Sequence, residues 1–486
     1  MSVITIEHLS FTYPGSYDPV FDDVSIQLDT AWKLGLIGRN GRGKTTLLQL
    51  LQGNYDHTGT ITHSVQFDYF PYPVPDKTQL TADVLEALCP QAEPWQFQRE
   101  FAALSVPEDA LYRPFETLSN GEQTKALLAA LFLNEGHFLL IDEPTNHLDL
   151  RARAQVAAYL KRKQGFILVS HDRDFLDGCV DHILSLNRAD IQLQSGNFTT
   201  WMENFQRQQD YEAAQNDRLK KDVKRLKQAA RRTQQWSDKV EASKTGAYDK
   251  GFVGHKAAKM MKRAKSIEAR QTAALEQAET LLKNAETADR LKLAPLRHHA
   301  ETLARFRDAA VCYDSGPVSP PVTFDLQRGD RVALDGPNGS GKSSLLKLLL
   351  TDPPPHTGAV ALASGLTISY VPQDTGHLQG SLTAFARTHH LDESLFKAIL
   401  RKMDFERVQF EKDLSDYSAG QKKKVLLAKS LCESAHLYIW DEPLNYIDVY
   451  SRMQLESLLL EFQPTLLFVE HDRAFRDAVA TKVVSF

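Results

Sequence analysis

Four short motifs occur twice in this chain, in the same order and at nearly the same distance. GRNGRGKTT begins at Gly38 and GPNGSGKSS at Gly336, 298 residues on. LSNGE at Leu118 is answered by YSAGQ at Tyr417, and IDEPTNHLD by WDEPLNYID, with Asp142 and Asp441 likewise 299 apart. SHDRDF and EHDRAF place His171 and His471 300 apart. A near-constant offset through four motifs means one domain written twice. At 486 residues, a soft prior for roughly three domains, the chain has room for something between the copies.

Each copy reads as a parallel α/β fold. HFLLIDE, GFILVSHD, LYIWDE and TLLFVEHD are short apolar runs ending in polar residues, the pattern of strands covered on both faces. Their polar ends fall at the carboxyl edge of the sheet, where such folds bind ligands. Between the copies the texture changes to a charged, helix-favouring stretch with few glycines except at its centre. The expected domains are 1–200 and 304–486, with 201–303 as a charged helical linker whose basic tip lies near 244–265.

GRNGRGKT and GPNGSGKS both fit the phosphate-loop pattern G-x-x-x-x-G-K-[ST], each after an apolar strand (KLGLIG, RVALDG) and before a helix (TLLQLL, SLLKLLL). Gly38, Arg39, Asn40, Gly41, Arg42 and Gly43 form the first loop, Gly336, Pro337, Asn338, Gly339, Ser340 and Gly341 the second. Their backbone N–H groups close around phosphate oxygens. Lys44 and Lys342 reach the β/γ-phosphates, Thr45 and Ser343 the Mg2+ of a bound ATP, and Thr46 and Ser344 complete the motifs. One match alone is compatible with a chance glycine turn; two in register are not. Asp142 and Asp441 end apolar strands and suit the metal, while Glu143 and Glu442, next in sequence, suit orienting or polarising the attacking water. His171 and His471, just past strand ends, suit a γ-phosphate contact, although a lone histidine there is often structural.

LSNGE and YSAGQ resemble the signature motif of ABC ATPases. The resemblance implies two ATPs sandwiched between the copies, Lys44 sharing one with Ser418 and Gly420, Lys342 the other with Ser119 and Gly121. It implies that Tyr13 and Tyr313 stack on adenine, with a core aromatic as the alternative for either. Gln373 in SYVPQD matches the family's Q-loop, a metal contact, whereas DYFPYP has Tyr72 in that place, so the two sites are not expected to behave alike.

Four cysteines without a CxxC pair fit a reducing cytosol, and the start of the chain carries no basic-then-apolar leader. No apolar run approaches the roughly 18 residues that span a bilayer. A net charge of −5 predicts no general affinity for nucleic acid. Yet residues 205–270 hold 18 Lys+Arg against 8 Asp+Glu, so the rest of the chain carries −15. Leu219, Val223 and Leu226, then Ile267, Leu275, Leu281 and Leu282, suggest two amphipathic helices, broken into a hairpin by Gly246, Gly251 and Gly254. Forty helical residues reach roughly 60 Å. Lys244, Tyr248, Lys250, Phe252 and His255, then Lys256, Lys259, Met260, Lys262 and Arg263, would form a tip suited to RNA, cations on phosphates and apolar groups against bases. A solvated helical spacer is the bland alternative.

Two ATP-binding domains joined by a charged linker closely resemble the ABC-F family of translation ATPases over essentially the whole chain. The resemblance implies a cytoplasmic monomer that closes its two domains on ATP and reopens after hydrolysis. Its implied partner is the 70S ribosome, entered at the E site beside P-site tRNA, with the hairpin pointing at 23S rRNA of the peptidyl-transferase centre. GLIGRNGRGKTTLL, DYFPYP and WDEPLNYIDVYSRMQLE are similar to the antibiotic-resistance branch of the Lsa/Vga type, which implies displacement of lincosamides, pleuromutilins and streptogramin A. Leu444, Tyr446 and Ile447 depart from the DEPTNHLD pattern that housekeeping members repeat. Near-equal spacings, 46 residues from Tyr72 to Leu118 and 44 from Gln373 to Tyr417, leave no room for a long inserted arm. A housekeeping translation factor, the ATPase subunit of a transporter and a non-catalytic interaction protein are the rival readings.

Overall fold

The computed structural model describes residues 2–15, 19–146, 148–187, 191–211 and 291–486, except 314, 315, 318 and 406; within 212–290 it describes Lys221, Arg225, Lys259, Lys262, Ser266, Ala269 and Arg270. The first copy is built on a six-stranded sheet in the order Gln66–Phe70, His137–Asp142, Phe166–Val169, Lys33–Gly38, His182–Leu186, Ile191–Ser195. All its pairings are parallel except the last. The second copy repeats the order with Ile368–Val371, Leu437–Asp441, Leu466–Val469, Arg331–Asp335 and Lys482–Ser485, all parallel. The strands Phe166–Val169, Leu437–Asp441 and Leu466–Val469 are buried at every residue, which is why they read as unbroken apolar runs rather than alternating ones.

Each copy also has an antiparallel sheet, which the parallel reading did not include. In the first, Val3–Phe11 lies between Phe21–Asp29 and Thr58–Thr62; in the second, Thr302–Tyr313 lies between Val322–Gln327 and His356–Leu362. Ile4, Ile6, Leu9 and Phe11 are buried while Glu7 and His8 are exposed, the one-sided pattern of a half-covered sheet. The phosphate-loop helix Lys44–Leu51 is packed between the two sheets. Leu47, Leu48, Leu50 and Leu51 share one core with Ile4 and Ile6 above and Leu34, Leu140 and Ile167 below. At about 1.5–3 kcal/mol for each fully buried leucine, this clamp fixes the helix start in space. Leu345 and Leu346 repeat it in the second copy.

The helices Asn120–Leu131 and Ala419–Cys432 follow the LSNGE and YSAGQ motifs. Each starts with a capping box, Ser119 with Glu122 and Ser418 with Gln421, so both signature serines serve as helix caps.

The chain divides into two compact units: Met1–Leu186, Ile191–Thr199 and Ala288–Phe486 form one, Asn187–Asp190 and Thr200–Thr287 the other. Residues 291–303, assigned above to the linker, lie outside that second unit, and Leu291 and Leu293 pack with the second copy. The reason is burial: Leu291 and Leu293 share a core with Phe385, Phe396 and Leu400. In the other unit residues 200–211 are helical, and Lys221, Arg225, Lys259 and Lys262 are helical and exposed. The expected hairpin and its glycines, and Lys244, Tyr248, Lys250, Phe252, His255, Lys256, Met260 and Arg263, lie outside the described residues.

One buried ion pair anchors the second copy. Lys424 Nζ donates to Asp448 Oδ2 at 2.9 Å and to the Met403 carbonyl at 2.8 Å, with both charged side chains at most 3% exposed. Asp448 also caps the helix Val449–Phe462 by accepting from Ser451 N. Burial opposes its ionisation, but Lys424 outweighs burial and holds the carboxyl far below its usual range. Lys424→Met leaves that carboxylate buried and unpaired, so urea denaturation should show a loss of about 3–5 kcal/mol. A loss under about 1 kcal/mol, the surface-pair range, would refute the anchoring role.

Candidate functional site: two phosphate loops at the junction of the copies

The loops are shaped by glycines that no other residue replaces. Gly43 and Gly341 both sit at φ 87°, immediately before the helix. A Cβ on Gly43 would lie 2.5 Å from Val20 Cγ1, and one on Gly341 2.9 Å from Ser319 Cβ. Lys44 Nζ donates to the carbonyls of Gly38 at 2.8 Å and Arg39 at 3.1 Å; Lys342 Nζ donates to those of Gly336 and Pro337, both at 2.8 Å. Each ammonium thus lies across the mouth of its own loop, and burial lowers both pKa values.

At the strand ends, Thr45 Oγ1 donates to Asp142 Oδ2 at 2.7 Å, and Ser343 Oγ to Asp441 Oδ1 at 3.0 Å. Burial pushes Asp441 up to about 6. Each hydroxyl–carboxylate pair offers hard oxygen donors to a magnesium ion. Among the described residues no cluster of three His, Cys, Asp or Glu could hold a metal by protein atoms alone. A hydroxyl–carboxylate pair suits an ion whose shell is completed by phosphate and water oxygens. Glu143 and Glu442 are both in left-handed conformations, φ 50° and 46°, held by backbone bonds from their N–H groups to the carbonyls of Val169 and Val469. His171 Nε2 lies 3.3 Å from Glu143 Oε1 and His471 Nε2 3.6 Å from Glu442 Oε1. Both imidazoles therefore sit against the glutamates, a contact the γ-phosphate expectation did not include.

The two glutamates differ in charge state. Burial beside Asp142 pushes Glu143 up to about 8, and its Oε1 has no hydrogen-bond partner among the described residues. Burial opposes ionisation of Glu442 too, but His471, Gln373 and the Asn445 amide, 2.6 Å away, outweigh it and hold the carboxyl at about 2. Burial, then Lys44 and Arg452, keep His171 neutral near pH 7.

The copies meet at these loops. A cleft of about 700 Å3 is lined by Lys342, Ser343, Ser344, Pro337, Asn338 and Gly339 on one side and by Ser119 and Gly121 on the other. The first loop lies directly against the second copy. Asn40 Nδ2 donates to the Tyr446 carbonyl at 2.8 Å, Arg42 reaches Asp404 at 3.7 Å, and the Arg39 guanidinium stands 5.3 Å over the Tyr450 ring. Gly420 lies there too: a Cβ on it would come 2.6 Å from the Tyr446 carbonyl and 3.3 Å from Asn40 Nδ2. Ser418 is the cap of that same helix. Away from the loops, Arg153 pairs with buried Asp172 at 2.7 Å and donates to the His471 carbonyl across the junction at 2.9 Å, while Arg173 pairs with Glu456 at 2.6 Å.

Tyr13 and Tyr313 occupy matching places. Their hydroxyls bond Thr46 Oγ1 at 2.7 Å and Ser344 Oγ at 3.0 Å, and both rings are exposed beside the helix starts. Strand register also equates Tyr72 with Gln373, since Phe70 pairs with Ile141 as Val371 pairs with Trp440. Gln373 lies beside Glu442, whereas Tyr72 lines a separate cavity of about 720 Å3 with Asp142 and Glu143. Tyr69, absent from the sequence-based candidates, donates to Asp142 Oδ2 at 3.0 Å. Asn445 and Tyr446 were likewise not among them. Their signal was present: Tyr69 stands three residues before Tyr72, and Asn445 and Tyr446 stand inside WDEPLNYID, but the partners of these residues are not written in spacing.

The comparisons agree with this architecture. The ABC transporter family profile matches residues 21–146 and 320–445, a little over half of the chain. The ribosome protection protein VmlR of Bacillus subtilis is 29% identical over 97% of this chain and 84% of its own length. The energy-dependent translational throttle protein EttA of Haemophilus influenzae is 24% identical over 96% of this chain and 89% of its own. Among solved structures, the archaeal ribosome recycling factor aABCE1, in complex with the stalk protein aP1, superposes with a TM-score of 0.61 over 94% of this chain and 83% of its own, at 19% identity, which speaks to fold alone. The chain belongs to the ABC transporter family, with two tandem ATP-hydrolysing ABC domains.

Proposed function

We propose that this ATPase works on the ribosome, entering the E site of the 70S particle and protecting the peptidyl-transferase centre from lincosamides, pleuromutilins and streptogramin A. The observation that carries the reading is the local excess of positive charge. With 18 Lys+Arg against 8 Asp+Glu, residues 205–270 are the one strongly basic stretch of an acidic chain, set between two ATPase halves. The 29% identity with a protein named for ribosome protection supports it. The departures Leu444 and Ile447 are fully buried in the core of the second copy, and the third, Tyr446, offers its carbonyl to Asn40 of the first. P-site tRNA and 23S rRNA are the proposed neighbours of the linker 201–303 and of its tip. Among the described residues no helix is long and apolar enough to cross a membrane. A cytoplasmic monomer is the matching proposal.

The chemistry we assign to the sites is as follows. Lys44 and Lys342, with the loop N–H groups, bind and orient the β/γ-phosphates, and Tyr13 and Tyr313 face the adenine. Thr45 with Asp142, and Ser343 with Asp441 and Gln373, would hold Mg2+, which neutralises charge on the phosphates when bound. Glu442 as an ionised carboxylate orients the attacking water and accepts its proton; Glu143 takes that role once nucleotide displaces its present surroundings, and His171 and His471 brace the two glutamates. Ser119 and Gly121, and Ser418 and Gly420, cap the nucleotide from the opposite copy. ATP thereby draws the copies together and hydrolysis lets them part.

The double variant Glu143→Gln, Glu442→Gln should lose at least about 100-fold in ATP turnover while still binding ATP. It should co-sediment with 70S ribosomes only when ATP is present, and wild type should restore translation in lincomycin. Co-sedimentation without rescue would replace the resistance reading by a housekeeping factor, and no co-sedimentation would overturn ribosome binding. A second expectation concerns the tip: replacing Tyr248, Phe252 and Met260 by alanine should abolish protection and spare ATPase activity. Unaltered protection in that variant would move the contact elsewhere on the linker.

A further inference from the structure

A lysine that no nucleotide would touch links two backbone positions of the second site. Lys423, on the helix Ala419–Cys432, is 2% exposed, and its Nζ donates to the Pro372 carbonyl at 2.9 Å and the Asp441 carbonyl at 3.0 Å. Pro372 immediately precedes Gln373, and Asp441 immediately precedes Glu442. A single ammonium therefore fastens the backbone on both sides of the Gln373–Glu442 pair, and in so doing joins the signature helix to the Q-loop and the acidic strand end.

The first copy lacks the link. Lys423 stands five residues after Ser418, and the residue five after Ser119 is Thr124. A threonine hydroxyl lies two bonds from Cα and reaches neither carbonyl that a lysine reaches through five. Hydrogen bonding differs accordingly. Glu143 Oε1 has no hydrogen-bond partner among the described residues, whereas Glu442 accepts from Asn445. Burying an ammonium is costly unless its donors are satisfied, so a lysine is a poor choice for mere filling of an apolar core.

We propose that Lys423 is a positioning residue, holding Gln373 and Glu442 in working geometry so that the second site is the faster of the two. It acts through the backbone and touches no substrate. The inference rests on Glu442 as the water-orienting carboxylate, not on ribosome binding. Misplacement by about an ångström costs on the order of 100-fold in rate.

The test is the steady-state ATPase of the full chain without ribosomes. Glu442→Gln alone comes first: if it leaves turnover intact, the assignment of Glu442 fails before Lys423 is examined. In the Glu143→Gln background, Lys423→Met should lower kcat by about 10- to 100-fold with KM for ATP little altered, and Lys423→Arg should restore most of it. In the Glu442→Gln background the same substitution should leave residual turnover as it was. Equal losses in the two backgrounds, a change confined to KM, or full activity of Lys423→Met would each overturn the proposal. Lys423→Gln, which keeps a donor too short to span both carbonyls, gives the same reading should the methionine variant fail to fold: an intermediate kcat supports positioning, and wild-type kcat refutes it.

Discussion

Each phosphate loop lies against residues of the opposite copy, and the meeting of the two copies is the constraint on which the rest depends. The phosphate loop of the second copy shares its cleft with Ser119 and Gly121 of the first, while Asn40 of the first loop bonds the Tyr446 carbonyl beside Gly420 of the second. Arg153 carries the contact deeper, from a buried ion pair with Asp172 to the backbone of His471. The facing surfaces are polar and hydrogen-bonded, so what surrounds each phosphate loop depends on how the two copies pack.

Within each copy the rigid body is a helix clamped between two sheets. That clamp sets the start of Lys44–Leu51 and of Lys342–Lys347 at the carboxyl edge of the parallel strands, where Asp142 and Asp441 emerge. The same scaffold then supports unequal chemistry. Glu442 is ionised and surrounded by Asn445, Gln373 and His471, while Glu143 lies in a place that favours its neutral form. Duplicated architecture does not force duplicated electrostatics, because a carboxyl responds to the two or three groups within hydrogen-bond reach.

Much of this was legible in the amino-acid order. The phosphate loops, the acidic strand ends and the signature serines are local patterns, and local patterns follow from backbone conformation and the nearest neighbours. The replacement of Gln373 by Tyr72 was visible as well, and strand register equates the same two positions. Other features were not. The antiparallel sheets lay hidden because their strands are half-covered and mixed in composition. The linker boundary moved because Leu291 and Leu293 look like any leucines near a helical stretch until their core is known. Tyr69 and Lys423 act through groups far along the chain, Asp142 and Pro372.

The order of residues by itself determined that there are two copies, that each carries a phosphate-loop pattern between a strand and a helix, and that the net excess of positive charge falls in the stretch between them. It could do so because repetition, glycine placement and charge are properties of short segments. Only the tertiary structure decided which groups the first loop touches on the second copy, which glutamate is ionised and what Lys423 holds. Those outcomes depend on distances between residues as much as 406 positions apart, such as Asn40 and Tyr446, and on burial that no single segment specifies.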